Sequence, residues 1–129
     1  MHSINSPQDV ISLISGSLIE GKITTILIYL NNQNRVLAVN KAGEKISNLT
    51  FNHHVVETAL SLHAYGVILL QTRYSPSPVP WEKDLEETIE LKRLLNNMHL
   101  SLIDHIIVNC TGTRCFSISE GRTYSYSSI

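Results

Sequence analysis

The stretch Val67–Leu70 constrains the fold more than any other part of the chain. Four large aliphatic residues stand together there, between Gly66 and the polar Gln71. Successive side chains of a strand point to opposite faces of its sheet, so a strand of this composition needs apolar cover on both faces. We therefore predict that Val67–Leu70 is a central, buried strand with packed elements above and below it.

Apolar spacing along the rest of the chain predicts three helices. Ser6 and Asn52 are predicted N-caps, and Gly66 is predicted to end the second helix. The predicted spans are Ser6 to Gly16 or Gly21, Asn52–Tyr65 and Glu82–Met98. The residues predicted to face the core are Val55, Val56, Ala59, Leu60 and His63 on the second helix, and Leu85, Leu91, Leu95 and Met98 on the third.

Runs of β-branched and aromatic residues bounded by turn residues predict the remaining strands. These are Lys22–Leu30, Arg35–Val39, Lys45–Thr50, Leu102–Val108 and Cys115–Ser119. Together with the helices they predict an α/β (α+β) fold with mixed strands. The 129 residues suit one domain, 1–129, and we expect a loose tail from about Tyr124.

Charge and composition argue against several classes of protein. The chain has 10 basic and 11 acidic residues, so it lacks the basic surface on which direct nucleic-acid binding depends. No apolar run reaches the roughly 18 residues of a membrane span, and the N-terminus has no signal-peptide pattern, so we expect a cytoplasmic protein without a membrane partner. Cys110 and Cys115 flank a predicted hairpin turn and are expected to remain thiols in that compartment.

Several segments together resemble the RadC-type branch of the JAB/MPN metal-dependent hydrolases over nearly the whole chain. They are SPQDV from Ser6, ILIYLNNQNRVLA, VVETALSLHAYGVILL, SLIDHIIV and FSISEGR. The resemblance implies the JAB/MPN (cytidine-deaminase-like) fold, a curved mixed β-sheet flanked by about three helices. It also implies a zinc site after the central strand, where the family has His-x-His, seven residues, Ser, two residues and Asp. A catalytic Glu earlier in that family's chain transfers the proton of the zinc-bound water.

This sequence keeps the spacing of the family motif but not most of its residue types. Gln71 and Arg73 stand at the His-x-His positions, Trp81 stands at the Ser position, and Asp84 alone keeps its identity. A Gln amide is a poor zinc ligand, and an Arg guanidinium cannot bind a cation. We therefore predict degenerate metal-site positions with no metal, no cofactor and no catalytic residue.

The region expected to supply the catalytic Glu also departs from the family pattern. It reads Val39-Asn40-Lys41, and Glu44 is several residues out of register. The resemblance thus implies the fold and argues against the activity. We predict a non-catalytic pseudo-enzyme whose groove binds a protein or peptide, with Tyr74, Val79 and Trp81 as candidate contacts. A homodimer through a sheet edge or a helix is a further expectation.

Two interpretations of the corner around Asp84 stay open. In one, the Arg73 guanidinium takes the position of the metal and pairs with Asp84. In the other, Arg73 points to solvent and Asp84 is merely favoured by the first turn of its helix. Trp81 either anchors a partner or folds over the site.

Two other functions also stay open. One is a hydrolase of isopeptidase or metallopeptidase type with a rearranged zinc site, built from His53, His54 and Asp84. Adjacent helical residues diverge by about 100°, which makes His53 and His54 a poor chelate. The other is an accessory role in DNA repair or mobile-element biology, which the family's traditional name suggests and the net charge of −1 disfavours.

Overall fold

A computed structural model describes residues 3–14, 23–43 and 49–125. The described residues form three helices and one six-stranded mixed sheet, which confirms the predicted α+β architecture. The helices are α1 (Pro7–Ile14), α2 (Leu49–Ser61) and α3 (Glu82–Asn97). The strands are β1 (Thr25–Leu30), β2 (Val36–Gly43), β3 (Gly66–Thr72), β4 (Ser101–Val108), β5 (Arg114–Ser117) and β6 (Arg122–Ser125). Glu44 lies outside the described residues.

The strand order is β2-β1-β3-β4-β5-β6, which places β3 in the interior of the sheet. β3 and β4 are parallel because α3 connects them as a crossover, and the other neighbouring strands are antiparallel. All four residues of Val67–Leu70 are fully buried within β3. The prediction of a central strand covered on both faces is therefore confirmed.

The sheet carries one apolar cluster on each face. On one face α1 contributes Val10, Ile11 and Ile14, which pack against alternate residues of β1, β3 and β4. On the other face Val55 of α2 and Leu91 and Leu95 of α3 pack against the other alternate set. That second set comprises Leu27, Tyr29, Val67 and Leu69. The period-2 alternation of strands then directs Thr25 of β1 and Gln71 of β3 to the same face as α2 and α3.

The second helix differs from its predicted bounds at both ends. It starts at Leu49, so Asn52 is a buried residue inside the helix and not its N-cap. It ends at Ser61 because His63 adopts a left-handed backbone, with φ of 55°. His63 is consequently exposed and not part of the core. Gly66 is the first residue of β3, where a Cβ would lie 2.5 Å from Ile103 Cδ1, so close packing explains this glycine.

The inward stripe of α3 also differs from its prediction. Leu91 and Leu95 are buried as expected, but Leu85 and Met98 are exposed. The stripe runs instead through Asp84, Thr88, Leu91 and Leu95, at the i, i+4, i+7 spacing of one helix face. The first turn of α3 therefore presents polar groups to the sheet, and this polar end faces the candidate site.

Several predicted strand ends are shifted. β1 starts at Thr25, β2 extends to Gly43, and β5 ends at Ser117, before the predicted Ser119. The predicted strand at Lys45–Thr50 is wrong for its last two residues, which belong to α2, and its residues 45–48 lie outside the described residues. At the predicted tail, β6 pairs with β5 through Ser125. Residues 126–129 of that tail lie outside the described residues.

Candidate functional site

The end of β3 brings Gln71 and Arg73 to the same edge of the sheet as the start of α3. The Arg73 amide donates to the Val108 carbonyl at 3.0 Å, so the parallel pairing with β4 continues past the end of β3. Three prolines follow within the next seven residues, and they prevent a regular element. The β4–β5 turn holds this loop, since the main-chain N–H of Cys110 donates to the Ser75 carbonyl at 2.9 Å and the side-chain Nδ2 of Asn109 donates to the Pro76 carbonyl at 3.0 Å.

Arg73 and Asp84 form a buried ion pair between the end of β3 and the first turn of α3. The Arg73 Nη2 atom lies 2.6 Å from Asp84 Oδ2, and both side chains are almost completely buried. The predicted pairing is therefore confirmed, and the alternative with Arg73 in solvent is wrong. Arg73 Nη1 also donates to the Val79 carbonyl at 3.4 Å, which fixes the guanidinium against the proline loop.

Trp81 contributes to the same corner through its main chain and its ring. Its amide donates to Asp84 Oδ2 at 2.7 Å, so the carboxylate caps the start of α3 while it binds Arg73. Arg73 Cζ lies 3.8 Å from the centroid of the indole ring, within the range of a cation–π contact. The guanidinium is thus enclosed between a carboxylate and an aromatic face.

A pocket of about 310 Å³ opens beside this ion pair. Thr25, Gln71, Arg73, Trp81 and Asp84 line it, together with Ile23, Thr72, Tyr74, Lys83 and Glu87. Two lining residues are exposed, Tyr74 at 66% and Trp81 at 59%, and Val79 beside them is exposed at 51%; these three residues form the rim. All the predicted site residues except Val79 therefore line one pocket, and Val79 adjoins it through its contact with Arg73.

A line of polar groups runs from this pocket into the interface between α3 and the sheet. Gln71 Oε1 lies 2.6 Å from His105 Nε2, and His105 Nδ1 lies 2.6 Å from Thr88 Oγ1. The Thr88 hydroxyl also lies 2.8 Å from the Asp84 carbonyl oxygen. His105 therefore has a structural role within β4. The sequence analysis missed Thr88, although its i+4 spacing from Asp84 places both on one helix face.

The opposite face of the sheet holds a second buried carboxylate, Asp104. Its oxygens accept hydrogen bonds from the Ser117 hydroxyl at 2.5 Å, the His105 amide at 2.8 Å and the Ser119 amide at 3.0 Å. Burial raises the pKa of Asp104 above its ordinary value of 3.8, and these three hydrogen bonds oppose that rise. Asp104 is therefore a structural carboxylate, separate from the pocket beside Arg73.

Other candidate ligands lie apart from this pocket. His53 and His54 are exposed on α2 and do not line it. Within residues 3–14, 23–43 and 49–125, no group of three or more His, Cys, Asp or Glu side chains is arranged to hold a metal ion. No disulfide joins Cys110 and Cys115. No helix in the same ranges is both long and apolar enough to cross a membrane.

The side chains at the corner do not suit the zinc ion that the family resemblance implies. A permanent cation already occupies the Asp84 carboxylate at 2.6 Å, so a second cation there would be repelled. The Gln71 carbonyl oxygen is engaged with His105, and an amide is a weak zinc ligand in any case. The chemistry that this arrangement supports is hydrogen bonding and stacking in a partly enclosed pocket.

Comparison with known proteins identifies the family. The model of the RadC-like JAB domain matches residues 4–123. A UPF0758 protein of Neisseria meningitidis is 27% identical over 116 residues, which cover 88% of this chain and 52% of that protein. Similar proteins of Clostridium beijerinckii and Aquifex aeolicus are each 27% identical and cover 81% and 96% of this chain, respectively. This chain spans about half the length of these curated relatives: 47% of the Clostridium beijerinckii protein and 50% of the Aquifex aeolicus protein. The chain belongs to the RadC-like JAB domain family.

Proposed function

We propose that this chain is a non-catalytic RadC-like JAB domain whose groove binds a protein or peptide. One observation carries the proposal: the Arg73 guanidinium lies 2.6 Å from Asp84, the one residue that keeps its identity in the family's metal motif. Gln71 and Arg73 then stand where the family has its two His ligands, and Trp81 stands where it has Ser. A site built this way holds its own cation and has no place for the metal that activates water.

The rim of the pocket supports the binding part of the proposal. Tyr74, Val79 and Trp81 present exposed apolar surface around a concave site, and exposed aromatic residues are favoured contacts in protein interfaces. The loop that carries them is fixed to the β4–β5 turn and to Arg73 by hydrogen bonds. A preorganised loop loses less conformational entropy when a partner binds than a loop that must first become ordered.

Zinc binding by calorimetry tests the loss of the metal site. We expect no stoichiometric binding by the natural chain. The triple variant Gln71→His, Arg73→His, Trp81→Ser restores the family's residue types and is expected to bind about one zinc ion, as in an open three-ligand site. Stoichiometric zinc on the natural chain, or zinc-dependent peptidase activity, would overturn the proposal and favour a hydrolase.

Selection from a displayed random peptide library tests the groove. Peptides selected on the natural chain should lose binding by tenfold or more in the Tyr74→Ala, Trp81→Ala double variant, because aromatic anchors supply much of the energy of such interfaces. Leu85→Ala, Ile89→Ala is the matched control, since it removes two exposed apolar side chains of α3 outside the pocket. Selected peptides that respond to the control and not to the rim variant would contradict the proposed groove.

A further inference from the structure

A buried hydroxyl group lies on the wall of the pocket. Thr25 is fully buried at the start of β1, directly opposite Gln71 of β3, and it lines the pocket. Its Oγ1 atom has no hydrogen-bond partner among the described residues. A buried hydroxyl without a partner costs about 1–3 kcal/mol, so such an atom beside a pocket indicates a group that a ligand satisfies.

Two further polar atoms around the same pocket have spare capacity. Both hydrogen bonds that Asp84 accepts go to Oδ2, which leaves Oδ1 as an acceptor among the described residues. The hydrogen bond of Gln71 uses Oε1, which leaves the Nε2 amide group as a donor. The pocket thus offers a donor at Gln71, an acceptor at Asp84, and a hydroxyl at Thr25 that can serve as either.

The charge of the pocket favours an uncharged ligand group. Arg73 is neutralised by Asp84, and Lys83 Nζ lies 3.9 Å from Glu87 Oε2. The charged residues that line the pocket are therefore two cations and two carboxylates in matched pairs. A carboxylate or an ammonium group would lose its hydration on entry and gain no unpaired counter-charge. An uncharged group with both a donor and an acceptor meets no such cost.

We propose that this pocket binds an uncharged amide of a peptide ligand. The amide oxygen accepts hydrogen bonds from Gln71 Nε2 and Thr25 Oγ1, and the amide N–H donates to Asp84 Oδ1. The apolar substituents of the amide lie toward the ring of Trp81. This inference rests on the proposed function and narrows it, because it names the chemical group that the groove recognises. The amide belongs either to an Asn or Gln side chain or to a main-chain peptide unit.

Titration of the ¹⁵N-labelled full chain with three small probes tests the inference and separates the two sources. Acetamide represents the side-chain amide, N-methylacetamide the peptide unit, and acetate a charged group of similar size. Binding is read from the NMR signals of the Gln71 side-chain amide and the Trp81 indole N–H. Preference for acetamide assigns the side chain, and equal or better binding of N-methylacetamide assigns the main chain. Preference for acetate, or no response to either amide, would overturn the inference.

Three variants link the response to the pocket. Thr25→Val removes the hydroxyl at nearly constant volume and should weaken amide binding at least about fivefold, the worth of one hydrogen bond. Thr25→Ser keeps the hydroxyl and should retain binding, and Thr123→Val on the exposed strand β6 is the matched control. If Thr25→Val does not fold, Gln71→Met takes its place. Unchanged affinity in the folded pocket variant would overturn the inference.

The failure of this inference and that of the proposed function are distinguishable. Selected peptides that need the Tyr74 and Trp81 rim but bind the Thr25→Val and Gln71→Met variants unchanged would sink only the amide contact. Amide probes that bind the pocket, with no peptide that binds the rim, would sink the proposed groove and leave an amide-binding pocket.

Discussion

Asp84 and Asp104 are almost equally buried, at 6% and 7% exposure, but the fold stabilises them in different ways. Asp84 faces a guanidinium that comes from another element, the end of β3. The hydrogen bonds to Asp104 come from uncharged groups, the Ser117 hydroxyl and the main-chain N–H groups of His105 and Ser119, and the Ser119 side chain adds to them. The charge of Asp84 is therefore neutralised by another charge, whereas that of Asp104 is stabilised by hydrogen bonds from uncharged groups of the protein.

This difference shows what each carboxylate requires of the chain. A buried charge that depends on one counter-charge becomes costly as soon as that partner is removed. A buried carboxylate that depends on several hydrogen bonds loses the energy of only one of them when one donor is removed, and it can also take up a proton. We therefore expect mutations around Asp84 to have large, coupled effects and those around Asp104 to have smaller, pH-dependent ones.

The largest effect is expected from Arg73→Met. The substitution keeps much of the side-chain volume but leaves Asp84 as an uncompensated buried charge, so the free energy of unfolding should fall by about 3 kcal/mol. Urea denaturation at neutral pH measures it. The double variant Arg73→Met, Asp84→Asn should recover at least half of the loss, because the uncharged amide still accepts the Trp81 N–H. Additive losses in the double variant would mean that the ion pair does not stabilise the corner.

A smaller effect is expected from Ser117→Ala. The substitution removes the hydroxyl donor to Asp104 Oδ2 and the acceptor of the Glu120 N–H, and it should cost about 2 kcal/mol. Ser125→Ala is the matched control, because Ser125 is an exposed serine of the edge strand β6. Equal destabilisation by the two variants, measured by the same urea titrations, would contradict the role given to the Ser117 hydroxyl.

The third prediction concerns the change of the free energy of unfolding with pH. Because burial raises the pKa of Asp104, protonation of this group favours the folded state, and that contribution is lost as the pH rises through the raised pKa. The variant Asp104→Asn lacks this loss. Its free energy of unfolding, minus that of the natural chain, should therefore increase as the pH rises from about 4 toward 7. A difference that falls over the same range would reverse the assigned direction of the shift.

The sequence predicted the Asp84 corner better than the Asp104 region, for a physical reason. Arg73 and Asp84 stand at positions that correspond to metal ligands in the family motif. Their contact could therefore be predicted without knowledge of the packing. The partners of Asp104 come together only through the register of β4 and β5, in which Ile106 faces Ser117. A single sequence does not specify that register to one residue, and a shift of one residue would turn every side chain to the other face.

The same distinction, between what the local sequence specifies and what depends on packing, explains the errors in the predicted helices. The run Val67–Leu70 was predicted correctly because four adjacent aliphatic residues have few alternatives. Helix α2 was misplaced because Asn52 and Gly66 have the residue types of caps, whereas the burial of Asn52 and the left-handed backbone of His63 depend on packing. The inward stripe of α3 was misread because Asp84 and Thr88 are polar, and only the partners that face them make their inward position favourable.

The smallest effect is expected from the ring of Trp81. Trp81→Leu keeps the main-chain N–H that donates to Asp84 and much of the apolar surface, but it removes the aromatic face over Arg73. At this half-exposed site the loss should be about 0.5–1 kcal/mol, the usual worth of a cation–π contact near the surface. A double-mutant cycle with Arg73→Met isolates that contact. Tyr74→Leu serves as the control, because Tyr74 is similarly exposed and the Arg73 guanidinium lies over the Trp81 ring instead. A coupling energy near zero between Trp81 and Arg73 would mean that the guanidinium is stabilised by Asp84 alone. Stability would then not restrict which residue occupies position 81, and the Trp81 ring would be available as a binding contact. The environments of Asp84 and Asp104 would then differ only in whether a counter-charge is present.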